Sequence, residues 1–153
     1  MSRASQAARL RRLALADMDA AASIHRAAFD DRLPWLSGLH TPDDDRAYFR
    51  DRVFPACTVW GAFGNDSLVG FVAFRDGWID QLYVLPEAQN QGFGTTLLAV
   101  AQAASATLTL WTFQRNAGAR AFYEAHGFEI AETTDGSGND EREPDVRYRW
   151  IRP

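Results

Sequence analysis

Residues 78–113 constrain the fold of this chain more than any other stretch, because strand, glycine turn, helix and second strand follow one another there without a break. The strand-like run Trp78 to Val84 is stopped by Pro86, and Gln89-Asn90-Gln91-Gly92-Phe93-Gly94 leads into a segment with Phe93, Leu97, Leu98, Ala101 and Ala104 at helical spacing. Thr107 to Phe113 then returns as a strand parallel to the first. Two glycines therefore stand at a helix N-terminus. Unpaired backbone N–H groups and the positive end of the helix dipole collect there, and a missing Cβ lets a phosphate approach the backbone. Glycine in such a turn also serves positive φ with no ligand at all. Neither Gly-x-x-x-x-Gly-Lys-Ser/Thr nor Gly-x-Gly-x-x-Gly occurs, so two familiar nucleotide loops are excluded.

The rest of the chain adds five strands and three helices. Residues 1–10 are small and polar without periodicity and are expected to form a flexible arm, with residues 11–153 as a single domain. A strand is expected over Arg11 to Ala16, then a helix capped by Asp17 and running to about Phe29, with Met18, Ala21, Ile24 and Ala28 on one stripe. The connection Leu33 to His40 is rich in apolar side chains, and Trp35 and Leu39 either line a pocket or staple the loop to the core. Thr41-Pro42-Asp43-Asp44 starts a second helix that should stop before Pro55. Strands follow at Cys57 to Phe63 and Leu68 to Arg75 across the turn Gly64-Asn65-Asp66-Ser67, and the second of them is apolar enough to be buried on both faces. Asn116 caps a helix whose stripe reads as Ala117, Ala121, Phe122 and Ala125, with Gly127 closing it. Phe128 to Thr133 and Val146 to Trp150 complete seven strands. The acidic stretch Thr134 to Pro144 between them is either a lid over a site or a mobile solvated loop. The fold class is thus α/β (α+β), a mixed and mostly antiparallel sheet with about four helices.

At 153 residues the chain suits one domain, and 46% hydrophobic against 24% charged residues is an ordinary globular balance. Lys+Arg of 16 against Asp+Glu of 20 gives a net charge of −4, which argues against a surface built to neutralise nucleic-acid phosphates. The single cysteine, Cys57, has no partner for a disulfide or a Cys-x-x-Cys pair, and no metal is expected. Residues 1–9 lack an apolar signal core, and no later apolar run reaches the length of a membrane span, so the sequence points to a cytoplasmic protein without membrane attachment.

The loop Gln89-x-x-Gly92-x-Gly94, preceded by Leu82-Tyr83-Val84-Leu85-Pro86, resembles the acyl-CoA-binding motif of the GNAT superfamily of N-acyltransferases. Asn116-x-x-Ala119-x-x-Phe122-Tyr123-x-x-x-Gly127-Phe128 is similar to that family's second element, and the resemblance extends from Leu13 to Ile151. It implies a GNAT-like sheet in which strands four and five part around the acyl-CoA site. It also implies that Leu82 and Val84 bond the pantetheine arm beside Tyr83, and that Gln89, Asn90, Gln91, Gly92, Phe93, Gly94 and Thr95 form the pyrophosphate loop. Asn90 and Gln91 stand where relatives often carry basic residues, which shifts phosphate binding toward backbone amides. Asn116 would contact the cofactor, although the helix needs it as an N-cap in any case.

The implied reaction takes an acetyl group from acetyl-CoA to an amine within a ternary complex. It requires a neutral amine, a polarised carbonyl and a protonated sulfur leaving group. The resemblance assigns Tyr123 as the acid for the sulfur. For the amine, Asp80 is the first candidate base. Strand alternation puts it on the face of Leu82 and Val84 among apolar neighbours, where an unpaired carboxylate is costly unless used or hydrogen-bonded. Cys57 lies away from the motif, which argues against a covalent acyl-enzyme. The acceptor is expected to be a small-molecule or peptide amine. Acetylation of a protein N-terminus or lysine, and a non-catalytic acyl-CoA sensor, are the alternatives. The sequence leaves the acceptor and the oligomeric state open, a homodimer included.

Overall fold

A computed structural model describes residues 9–153. It is a seven-stranded sheet in the order β1-β2-β3-β4-β5-β7-β6, and four helical bodies cover its two faces. The strands are β1 (Arg9–Arg12), β2 (Thr58–Gly64), β3 (Ser67–Arg75), β4 (Trp78–Val84), β5 (Thr107–Phe113), β6 (Glu129–Thr134) and β7 (Asp145–Ile151). Every neighbouring pair is antiparallel except β4 and β5. The arm expected over residues 1–10 lies outside the described residues for its first eight positions, and Arg9 and Leu10 already pair in β1. The first strand is therefore earlier and shorter than expected. Leu13 N–H still reaches Val59 O of β2 (2.8 Å), and the 3₁₀ turn Leu15–Asp17 then takes the chain out of the sheet.

Helix α1 (Met18–Arg32) runs one turn beyond the expected end and buries Met18, Ala21, Ala22, Ile24 and Ala28. Asp17 does not cap it by side chain; its carboxylate turns back to the N–H of Ala14 (2.7 Å) and to Arg11 (3.0 and 3.1 Å). In α2 (Pro42–Tyr48), Thr41 Oγ1 and the Asp44 carboxylate satisfy each other's backbone N–H groups, and Pro42 takes the first turn. Pro55 does not end this helix. A π turn at Phe49–Val53 carries the chain into α3 (Phe54–Ala56), so the proline falls at the start of a new turn, where its missing N–H costs nothing. Arg26 of α1 clasps Asp45 of α2 with two bonds of 2.8 Å, and this contact fixes the two helices to each other.

The sheet divides two cores. Met18, Phe49, Val59, Phe71 and Ala73 fill the face under α1 and α2. Val72, Phe74, Leu97, Leu98 and Tyr148 fill the face under α4 (Phe93–Ala104) and α5 (Ala117–Ala125). From Gly70 to Phe74, β3 is buried on both sides, as its apolar run requires. The β2–β3 turn carries Asn65 and Asp66 at φ 52° and 66°, the backbone of a type I′ hairpin. In α5 the alanine stripe faces outward: Ala117, Ala121 and Ala125 are exposed, and the helix packs instead through Tyr123 with Ala119 and Phe122 half-buried. None of the helices among the described residues is long and apolar enough to cross a membrane.

Candidate functional site

Beta strands β4 and β5 run parallel but pair at one position only, Trp78 with Thr109, where Thr109 N–H reaches Gly77 O (2.9 Å). Beyond that pair they separate, and a cleft of ≈ 320 Å³ opens between them. Two local features decide what faces the gap. Leu85 N–H donates to Val69 O (2.8 Å) on the β3 side, so alternation turns the backbone groups of Val84 and Leu82 to the opposite edge, toward β5. There the Val84 carbonyl accepts from Gln89 Nε2 (3.0 Å). The other feature is a bulge. Ala73 pairs with Gln81 but Phe74 pairs with Ile79, which leaves Asp80 as an extra residue.

The bulge corrects the expected place of Asp80. Ile79, Leu82 and Val84 pack into the core under α4, whereas the Asp80 carboxylate meets Arg75 (2.7 and 3.1 Å) and the thiol of Cys57 (3.3 Å) on the opposite face. It borders the cleft but is neither unpaired nor surrounded by apolar groups. Burial and the Asp80 carboxylate push the Cys57 thiol up to about 12, so the sulfur stays protonated and donates to Asp80.

Gly92, at φ 91°, forms the N-cap of α4, and nothing stands within 4 Å of where its Cβ would be. No side chain caps the helix, so the first-turn N–H groups of Phe93, Gly94 and Thr95 have no partner within it. Gln89, Asn90, Gly92, Gly94 and Thr95 border the cleft beside this terminus. Gln91 and Phe93 do not: Gln91 turns to Glu87 O (3.2 Å), and Phe93 is buried in the core. At the other wall Asn116 Oδ1 accepts from Ala119 N–H (3.2 Å), so its role as a cap is met. Tyr123 is 7% exposed and stands at the back of the cleft, against Phe128 and Phe122 with ring centroids 5.3 Å away in each case. Burial, and then the neighbouring Tyr83, hold its phenol well above the usual tyrosine range. Tyr83 itself is pushed up to about 12 by burial; its ring turns under α1, edge-on to His25 at 4.7 Å.

Three site features escape a sequence reading. His126 straps the two helices together, Nδ1 to Phe122 O (2.8 Å) and Nε2 to Thr95 Oγ1 (3.1 Å). Arg32, the last residue of α1, reaches into the cleft and donates to Gln89 Oε1. The acidic stretch is pinned rather than free. Glu143 is 2% exposed, is held by Arg115 Nε and Nη2 (both 2.8 Å), and accepts from Trp35 Nε1 (2.9 Å). Arg115 also lies over the Trp35 ring at 4.4 Å. The Trp35 loop is therefore joined to the β5–α5 and β6–β7 loops by a polar clasp, while Leu33 and Leu36 supply its apolar anchors. Each clasp residue reads alone as a solvated charge or a loop aromatic; only the fold brings positions 35, 115 and 143 together.

Residues 19–128 match the family model described as the acetyltransferase (GNAT) family. Over 84 residues the chain is 35% identical to the peptidyl-lysine N-acetyltransferase YiaC of Escherichia coli (strain K12). That match spans 54% of this chain and 58% of YiaC, so the chain spans less than two thirds of this curated relative's length. The fold is similar to that of apo-form YjaB from Escherichia coli, with a TM-score of 0.79 at 20% identity over 95% of this chain and 99% of that one. It is also similar to the PaiA N-acetyltransferase of Thermoplasma acidophilum, solved in complex with coenzyme A, at a TM-score of 0.70, 20% identity and coverage of 95% and 99%. The yncA protein of Salmonella typhimurium, a putative acetyltransferase solved with acetyl-CoA, gives 0.69, 18% identity and coverage of 94% and 93%.

Proposed function

The chain belongs to the acetyltransferase (GNAT) family, and from that membership we propose that it transfers an acetyl group from acetyl-CoA directly to a primary amine of a small molecule or peptide. The observation that carries this reading is the single-pair junction of β4 and β5, which leaves strand edge, helix N-terminus and Tyr123 around one cleft. The residues fit an acyl-CoA. The open space above Gly92 and the uncapped first turn of α4 suit its diphosphate. The backbone edge at Leu82 and Val84 that faces the cleft, where Gln89 Nε2 already holds the Val84 carbonyl, suits the amides of its pantetheine arm.

When bound, the thioester supplies the activated acetyl group. Backbone N–H groups on the β4 edge would polarise its carbonyl. Tyr123, kept protonated by burial, would hold its proton at the departing sulfur. Both oxygens of Asp80 are engaged by Arg75, so the acceptor ammonium would give its proton to water at the open end of the cleft, and Asp80 would stabilise the bulge.

The similarity to YiaC supports a second reading, in which the amine is a lysine of a protein or peptide. A thiol-release assay with acetyl-CoA against small amines, lysine peptides and free peptide N-termini separates these readings. Turnover is expected with at least one amine class. Tight CoA binding with no turnover on any of them would replace the enzyme by an acyl-CoA sensor.

A further inference from the structure

The glycine loop of the cleft carries no basic side chain, since Gln89, Asn90 and Gln91 precede Gly92. A diphosphate held there would rest on backbone dipoles alone. The cleft nevertheless contains a cation from elsewhere. Arg32 ends α1, and its guanidinium borders the cleft beside the start of the loop. One Nη donates to Gln89 Oε1, just before α4. The other lies against the first turn of α5, so close that a Cβ on Gly118 would overlap Nη1.

This is an unusual place for a charge. A guanidinium offers five N–H donors in a planar fork, and a single one of these has a partner among the described residues. Other arginines of the chain, Arg26, Arg75 and Arg115 among them, pair with carboxylates; Arg32 pairs with none among the described residues. Its neighbours are instead the N-termini of α4 and α5, whose dipoles present positive ends to it. Two positive helix ends and a guanidinium around one space repel one another until an anion joins them. Arg32 is also the one cation among the described residues that border the cleft.

We propose that Arg32 is the charge partner of the donor's diphosphate, reaching across from α1 to supply what the glycine loop lacks, with Gly118 kept bare to admit it. The proposal rests on the acyl-CoA reading of the cleft. On binding, the guanidinium exchanges or shares its Gln89 bond for a bidentate pair with the phosphate oxygens, a geometry that lysine does not reproduce.

The test is calorimetry on the folded full chain with CoA, 3′-dephospho-CoA and pantetheine. Arg32→Gln should weaken CoA and 3′-dephospho-CoA alike by tenfold or more and leave pantetheine unchanged, and raised salt should weaken CoA less than in the parent. Arg32→Lys should recover part of the loss, and Gly118→Ala, which displaces the guanidinium, should reproduce it. Unchanged or tighter CoA binding by Arg32→Gln overturns the proposal and makes Arg32 a plug of the empty cleft. A loss seen with CoA but absent with 3′-dephospho-CoA moves the contact to the 3′-phosphate and overturns the diphosphate assignment. If the parent chain binds pantetheine but none of the phosphorylated forms more tightly, the Arg32 assignment fails alone; if it binds none of the three, the acyl-CoA reading fails with it.

Discussion

At the scale of single residues, Tyr123 and Asp80 carry opposite expectations. Tyr123 lines the cleft with a phenol that burial keeps protonated. Tyr123→Phe retains the ring packing on Phe122 and Phe128 and removes only the proton donor. We expect kcat to fall by about 10²-fold, the lower end for a positioned acid, because a thiolate is a tolerable leaving group; CoA affinity should stay within a few fold. Unchanged kcat with a good amine would make Tyr123 a packing residue. Asp80→Asn should lower kcat by less than about tenfold and leave the pH profile in place, because Arg75 already occupies the carboxylate. A loss as large as that of Tyr123→Phe, together with a vanished ascending limb of the pH profile, would restore Asp80 as the base. The difference between the two residues could not be read from the chain. The motif led to Tyr123, which lines the cleft, whereas strand alternation put Asp80 on the face of Leu82 and Val84, because a bulge adds one residue without leaving a mark in the sequence.

Elements were legible where periodicity and turn chemistry agreed. The β2–β3 hairpin, the Thr41 cap and the crossover to β5 all follow from local rules and all occur, as does the α4 stripe from Phe93 to Ala101, although its expected last member, Ala104, is exposed. In α5 the pattern misled, since alanine costs little on either face and three alanines four apart mimic a core stripe; the bulky pair Phe122 and Tyr123 decided the packing instead. Pro55 read as a stop because the π turn that absorbs it has no sequence sign of its own. The pairing of α1 with α2 rests on contacts that only the fold reveals. Asp45 is 7% exposed and clasped by Arg26, whose guanidinium holds the carboxyl below the usual carboxylate range. Asp45→Asn leaves a largely buried guanidinium with half its partners, so we expect a loss of about 2–4 kcal/mol in chemical unfolding, with the sheet retained by circular dichroism. A loss under about 0.5 kcal/mol would show that α2 is held by Phe49 and Val53 alone.

Over the whole molecule, acid should be the main threat to stability, and His25 gives it a window. Its ring packs between Phe29, Phe49 and Tyr83, its Nδ1 has no hydrogen-bond partner, and burial followed by the charge of Arg26 lowers its pKa to about 4. The folded chain thus resists protonation at His25 while the unfolded chain accepts it near pH 6.5. Stability is complete above that value and declines as the pH falls toward 4, by up to about 3 kcal/mol from this residue. Asp45 acts in the same direction at lower pH, where its carboxylate must protonate. Replacing His25 by Phe should flatten the fall in Tm between pH 7 and pH 4.5; an unaltered slope would assign the acid sensitivity to carboxylates.

The single Trp78–Thr109 pair has a further consequence on this scale. It makes the protein two half-sheets, one of β1 to β4 and one of β5 to β7, hinged at one end and wedged apart at the other. A ligand that bonds both lips of the wedge behaves mechanically as a missing eighth strand. Amide hydrogen exchange along β4 and β5 should then slow together when CoA is added, by a factor that grows with ligand concentration, while β1 and β6 at the outer edges keep their rates. Under the proposed reaction, turnover would then include a cycle of sealing and reopening this sheet, and the rate of product departure would become a property of that seam as much as of the chemistry beside it.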